Sequence, residues 1–274
     1  MELQTNAIIL KSRPKAPGLD VAFNIAYNRN RVEKVTYTPD ALTLLGWGQS
    51  SHALVEGNAI NSLYAIGYAG HDENGVTQWY HADGKATTER VYSGVKTEDI
   101  ICMGTLDPTL TMSLSPTFTY GGFSLSAMLT YYGGHVMRAR MNDWLASASL
   151  TGYGTVIKAV ADYYDNPDSY VLPYPSVDNY LTGNNTGQAL MYFDQAVVPA
   201  DYLKLRNVVL GYTIPRGFCQ KLGVRSARVR LQANNLLKWV RNNLGVDPEA
   251  NNAWTGYDQN ALMRSYTMSL NINF

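Results

Sequence analysis

Thr109-Leu110-Thr111-Met112-Ser113-Leu114-Ser115-Pro116-Thr117-Phe118-Thr119-Tyr120-Gly121-Gly122-Phe123-Ser124-Leu125-Ser126-Ala127-Met128-Leu129-Thr130-Tyr131 is the stretch that decides the fold. Leu110, Met112, Leu114, Phe118 and Tyr120 alternate with serines and threonines. After Gly121-Gly122, so do Phe123, Leu125, Ala127, Leu129 and Tyr131. Period-two alternation on both sides of a glycine pair predicts an antiparallel hairpin. Each arm is long for a soluble strand and suits a tilted strand that crosses a bilayer. The polar face holds Ser and Thr without charge, whereas a soluble sheet places Lys or Glu there for solubility.

The same pattern closes the chain. Tyr266, Met268, Leu270, Ile272 and Phe274 alternate with Thr267, Ser269, Asn271 and Asn273. This strand is expected to be the one read by barrel-assembly machinery. Its other reading is the edge of a soluble β-sandwich.

Composition agrees with the hairpin. The 274 residues carry a formal net charge of +0, which gives no electrostatic case for nucleic acid. Charged residues make up 16% of the chain, below the usual quarter, while Tyr numbers 20 and Gly 23. No apolar run is long enough for a transmembrane helix. Ala7 to Leu10 is a short apolar patch followed by Lys11, Arg13 and Lys15, the wrong shape for a secretion signal. The expectation is one unit over 1–274, part of a longer protein, with the signal peptide absent.

Chemistry-bearing motifs are sparse. Cys102 and Cys219 form no CxxC, and His52, His71, His81 and His135 show no ligand spacing, so neither metal nor cofactor is expected. Asp72 to Gly75 lacks the ligand pattern of a calcium loop and reads as a turn. Asp72, Glu73, Asp83 and Asp162 could serve an enzyme, but no nucleophile elbow accompanies them, and no catalysis is expected. Trp47, Trp79 and Tyr80 are loop aromatics that could stack on sugar rings; the other reading of each is loop packing or a place in an aromatic girdle.

Along the chain, residues 1–18 read as an irregular lead-in. Val21 to Tyr27 reads as a strand, with Val32 to Tyr37 as its partner. Residues 38–53, 70–107 and 135–200 read as outer loops, with a short helix within Asp143 to Ala161. Strands are expected at Asp201 to Thr213, Ala227 to Ala233 and Leu262 to Phe274, separated by a turn at Pro215 to Arg225 and a loop at Asn234 to Ala253. Arg228 and Arg230 share a face that must point inward, because arginine facing lipid is costly. If the final strand runs inward, Gly121-Gly122 and the 215–225 turn lie on the inner side. The long loops then lie outside, and Cys102 and Cys219 fall on opposite sides and form no disulfide. Tyr131, Tyr132, Tyr202, Trp239 and Tyr266 would girdle the outer rim, and Tyr120, Tyr212 and Phe274 the inner one.

The run Asp201-Tyr202-Leu203-Lys204-Leu205-Arg206-Asn207-Val208-Val209-Leu210-Gly211-Tyr212-Thr213-Ile214-Pro215 resembles a signature of the SusC/RagA family of TonB-dependent outer-membrane transporters of Bacteroidota. Lys221-Leu222-Gly223, Arg228 to Leu231, Asn234-Asn235-Leu236 and Gly245-Val246-Asp247-Pro248-Glu249 follow in the family's order. Upstream, Phe23 to Val32 and Asp107-Pro108-Thr109 fit as well. The resemblance implies an all-β fold: an antiparallel transmembrane barrel portion of about 8–10 strands from a larger barrel of roughly 22, with long extracellular loops and short periplasmic turns. It implies nutrient import, of glycan or peptide, at the cell outer membrane. A SusD-like surface lipoprotein, the TonB system (through the missing plug), the barrel-assembly machinery and outer-membrane lipid would be the partners. The alternative from another class is a secreted β-sandwich carbohydrate-binding module.

Overall fold

The computed structural model describes residues 1–13, 16–46, 53–73, 76–139, 191–242, 244–256 and 259–274. Seven strands form one antiparallel sheet. In spatial order they are β1 (Glu2–Leu10), β2 (Gly18–Tyr27), β8 (Leu110–Tyr120), β9 (Phe123–Gly133), β12 (Tyr202–Thr213), β13 (Ser226–Val240) and β14 (Ser265–Asn273). The chain visits them in sequence order, so the sheet is an up-and-down wall.

The decisive hairpin forms as expected, with Tyr120 opposite Phe123 and Leu110 opposite Gly133. Gly121 and Gly122 take φ of 57° and 90°, the positive pair that a two-residue turn matched to strand twist requires. Pro116 has no N–H to offer a neighbour. The β8–β9 pairing accordingly passes from Leu114↔Leu129 to Thr117↔Ser126, while Pro116 remains opposite Val21 of β2.

Register sorts the side chains into two faces. Phe23, Leu114, Leu129, Leu205 and Leu237 lie in one cross-strand row, and Leu125, Leu210, Leu231 and Met268 in another. This face is apolar, and many of its large side chains are exposed, among them Leu114, Phe118, Leu125, Leu210, Leu231, Met268 and Leu270. Its opposite carries Ser113, Thr117, Ser124, Ser126, Thr130, Gln232, Thr267 and Ser269. Arg228 and Arg230 fall on this polar face, and Arg228 donates to Ser124 Oγ at 3.1 Å. A β-sandwich would cover the apolar face with a second sheet. Among the described residues no second sheet covers it.

Several local readings change. Glu2–Leu10 is a strand paired along β2, where an irregular lead-in was expected. Val32 to Tyr37 forms no strand. Val32 N donates to Asn58 O and Val35 N to Glu56 Oε1, so this segment binds a loop instead. The partners of β2 are β1 and β8. Strand β13 runs on to Val240, through residues read as loop. Tyr266 pairs with Ala233, which aligns with Val208, well along the ladder from the row of Tyr131, Leu203 and Trp239. At the opposite end Phe123 and Tyr212 do meet, with ring centroids 4.4 Å apart.

All long connections leave from one end of the sheet. They carry β3 (Ser62–Ile66) paired with β7 (Ile100–Thr105), the small sheet of β4 (Tyr68–His71), β5 (Thr77–Tyr80) and β6 (Ala86–Thr87), and the pair β10 (Val136–Arg138) and β11 (Val197–Pro199). A short helix, α1 (Ala41–Leu45), starts at Asp40, whose Oδ1 accepts the Thr43 N–H at 2.7 Å. It falls within the expected 38–53 loop. Helix α2 (Val91–Gly94) follows β6, and α3 (Arg216–Lys221) sits at the other end of the sheet, in the expected 215–225 turn. The loops have a core of their own, built from Leu45, Ile66, Trp79, Val91, Tyr192 and Phe193.

Candidate functional site

Strand β12 adds charge to the polar face, which already carries Arg228 and Arg230. Lys204 aligns with Thr130 on that face. Between Leu205 and Asn207 the register shifts against both neighbours, so Arg206 is an extra residue opposite β9. The bulge lets Arg206 and Asn207 both point to the polar side. Arg206 Nε donates to Thr130 Oγ1 at 2.9 Å.

The acidic half comes from the loop after β13. Asp247 opens a single 3-10 turn, Pro248–Ala250, and its Oδ1 accepts the Glu249 N–H at 3.1 Å. Glu249 accepts from Arg206 with both oxygens, from Lys204 Nζ at 2.7 Å and from the Tyr202 hydroxyl at 2.9 Å. Lys204 Nζ also pairs with Asp247 Oδ1 at 2.9 Å, and Lys238 reaches Asp247 Oδ2 at 3.5 Å. Tyr202 stacks on Tyr132, with centroids 5.0 Å apart. Burial pushes the Glu249 carboxyl upward, but hydrogen bonds from Arg206, Lys204 and Tyr202 outweigh it and hold its pKa at about 2. Asp247 follows the same balance and is also lowered, burial being overcome by the Lys204 bond and the Glu249 N–H. Both carboxylates stay ionised at neutral pH. Nearby, Asp201 joins two strand ends, accepting the Gly134 N–H at 2.8 Å and Arg241 Nη1 at 2.7 Å. The arrangement fastens a loop to the wall; no carboxylate in it is free to act as acid or base.

A second hub gathers all three loops. Arg138, 1% exposed, donates to Leu45 O at 3.1 Å, Tyr64 O at 2.9 Å and Trp254 O at 2.9 Å. These carbonyls belong to the loops after β2 and β13, and Arg138 itself to the loop after β9. Its guanidinium carbon lies 5.2 Å from the Tyr192 ring centroid and 5.1 Å from that of Trp254. Burial draws its pKa down to about 10, which leaves it charged at neutral pH. Among the described residues no carboxylate pairs with it.

The sequence-nominated aromatics separate. Trp79 is 1% exposed in the loop core, its Nε1 donating to Glu89 O, so it offers no face for a sugar. Tyr80, next to it, points outward and is 44% exposed. Trp47 lies outside the described residues, as does Asp143 to Ala161. Tyr266, Met268, Leu270, Ile272 and Phe274 are all exposed; the first four lie on the apolar face of β14. Cys102 and Cys219 are free thiols. The Lys204–Glu249 cluster was visible only as two cations spaced two apart on a strand's polar side and an acidic pair flanking a proline. Arg138 carried no signal, because its partners are backbone carbonyls far away in sequence.

No family model matches the chain. It is 25% identical over 279 residues to TonB-dependent receptor P3 of Formosa agariphila, an alignment that takes in 92% of this chain and 26% of the relative. TonB-dependent receptor P39 of the same organism is 27% identical over 139 residues, 50% of this chain and 13% of the relative. Among solved structures, the RagAB peptide transporter superposes over all of this chain and 28% of its own, with a TM-score of 0.68 at 20% identity. The RagAB peptide importer in its open-open state gives 0.66 at 20% identity over the same shares. The sequence is thus similar to TonB-dependent receptors, and the fold to part of the RagAB transporter. The chain spans about a quarter of the length of the first of these relatives, and its match to the second takes in about an eighth. The Lys204–Glu249 cluster ties the loop after β13 to the polar face of the sheet.

Proposed function

We propose that this chain supplies wall and outer loops to a TonB-dependent importer of the outer membrane, carrying glycan or peptide inward. One observation supports this most: the sheet exposes large apolar side chains on one face and hydroxyls with a few charged residues on the other, with every long connection at one end. Water disfavours that apolar face, at roughly 25 cal/mol per Å², and lipid removes the cost. Strands β1 and β14 each have one neighbour among the described residues. Open edges are untenable in hydrocarbon, so further strands of the wall pair there. The TonB system drives uptake through a plug, and a SusD-like lipoprotein meets the loop end. Barrel-assembly machinery reads Tyr266 through Phe274, and Tyr80 is available for stacking on ligand.

The test is uptake by cells that carry or lack the full-length protein. The protein should sit in the outer-membrane fraction, and accumulation of labelled oligosaccharide or oligopeptide should require both it and the proton-motive force. Recovery as a soluble periplasmic or secreted protein without detergent would overturn the reading.

A further inference from the structure

Where the first outer loop leaves the wall, it encloses a polar cavity of about 520 Å³. Its lining includes Arg29, Arg31, Asn58, Cys102, Thr105 and Asp107. No aromatic ring lines it among the described residues, so sugar stacking has no platform there. Neither guanidinium has an ion-pair partner among the described residues. Two unpaired arginines on one cavity wall form a site with surplus positive charge.

That wall is fixed. Val32 N donates to Asn58 O at 2.8 Å, Gly57 N to Val32 O at 2.9 Å, and Ile60 N to Asn30 Oδ1 at 2.8 Å. Asn28 N donates to Thr109 O at 2.9 Å, tying the segment to the mouth of β8. Arg31 lies over Gly57, where a Cβ would stand 3.3 Å from a guanidinium nitrogen. Gly57 also takes φ +87°, so a side chain there would be disfavoured twice. Across the cavity Asp107 is held by Asn61 Nδ2, which donates to Oδ2 at 2.7 Å. Its other oxygen is uncommitted.

We propose that this cavity captures a carboxylate of the incoming ligand on Arg29 and Arg31. The guanidinium fork matches a carboxylate in a bidentate way, and the frame around it is already in place before binding. Two sources share that chemistry: the free C-terminus of a peptide and the uronate of an acidic oligosaccharide. Asp107 favours the first, because it complements an amino group on the same ligand. The proposal rests on the import reading only for the direction from which ligand arrives.

Cys102 supplies the readout, since it lines the cavity and is exposed while Cys219 is buried. In the full-length protein in detergent, the rate of maleimide labelling at Cys102 is followed with trialanine, trialanine amide, trigalacturonate and its methyl ester. The free acids should slow labelling several-fold and their neutral counterparts should not. Protection by trialanine alone, by trigalacturonate alone or by both supports the site and names its source. R29Q and R31Q should each weaken protection about tenfold or more, measured against the same variant's own unliganded labelling rate. R31K, which keeps the charge and loses the fork, should fall between. Equal protection by the neutral compounds, or none by either acid, overturns the proposal. The assay is an equilibrium one, so a protein that binds but does not import would sink the import reading and leave this one standing.

Discussion

Arg206 and Glu249 face each other as two forks across the polar side of the wall, forty-three positions apart in sequence. One sits on a strand bulge and the other in a single turn of loop. Their pairing, with Lys204 and Tyr202 alongside, fastens the loop after β13 to the sheet.

Glu249→Ala should free that loop. Three donors lose their acceptor at once, and Lys204 is left buried with Asp247 alone. Removing one partner of a fully buried pair costs about 3–5 kcal/mol, and the partial solvation here lowers the expected loss to on the order of 2 kcal/mol. Limited trypsin digestion checks it: cleavage after Arg241, just past the end of β13, should accelerate in the variant, with the wall intact. Unchanged cleavage would mean the cluster does not hold the loop.

The attachment should weaken in acid. Glu249 has a folded-state pKa of about 2, below its ordinary 4.5, and Asp247 is lowered too. A depressed carboxylate stabilises fully above its unfolded pKa and loses that contribution as pH falls through the folded value. Attachment should therefore be constant from neutral pH to about 4.5 and decline from there toward 2. Pepsin susceptibility of the loop, compared with Glu249→Gln, gives the measurement. The variant should show a flatter profile.

Arg138→Met should disorganise the loops and spare the wall. It removes donors to three carbonyls in two other loops and leaves those oxygens unsatisfied. Hydrogen exchange should quicken around α1, β3 and residues 251–256, while β8, β9 and β12 stay protected. Equal loosening of the strands would contradict the division between loop assembly and wall.

Two adjacent positions test the faces. Leu114 lies on the apolar side and Ser113 on the polar side of β8. Leu114→Arg should cost about 2–4 kcal/mol of folding into lipid vesicles, and Ser113→Arg far less. Equal effects in a vesicle-refolding assay would invalidate the assignment.

The wall was legible where alternation ran unbroken. Strands β8, β9 and β14 kept one phase from end to end, and Gly121-Gly122 marked their turn. Strand β1 was not legible, because its register shifts between Ile8 and Leu10 and breaks the alternation. The upper half of β13 was hidden in the same way by Asn235, at φ 54°, opposite the irregularity at Arg206. Val32 to Tyr37 had strand-like residues, but its amides found loop partners. Of the two readings of Trp79, sugar stacking and loop packing, burial in the loop core favours the second. The site's charges were readable, whereas their pairing was not, since it depends on a loop folding back over forty residues.

Arg138 also imposes a timetable. Its acceptors lie 93 positions away at Leu45 and 116 away at Trp254. The last of these is in place only after β12 and β13 have been laid down, and closing spans of that length is slow compared with zipping neighbouring strands. The sheet can therefore be complete while its crown is still unset. One guanidinium, arriving in the middle of the chain, waits as a keystone for a residue near the end.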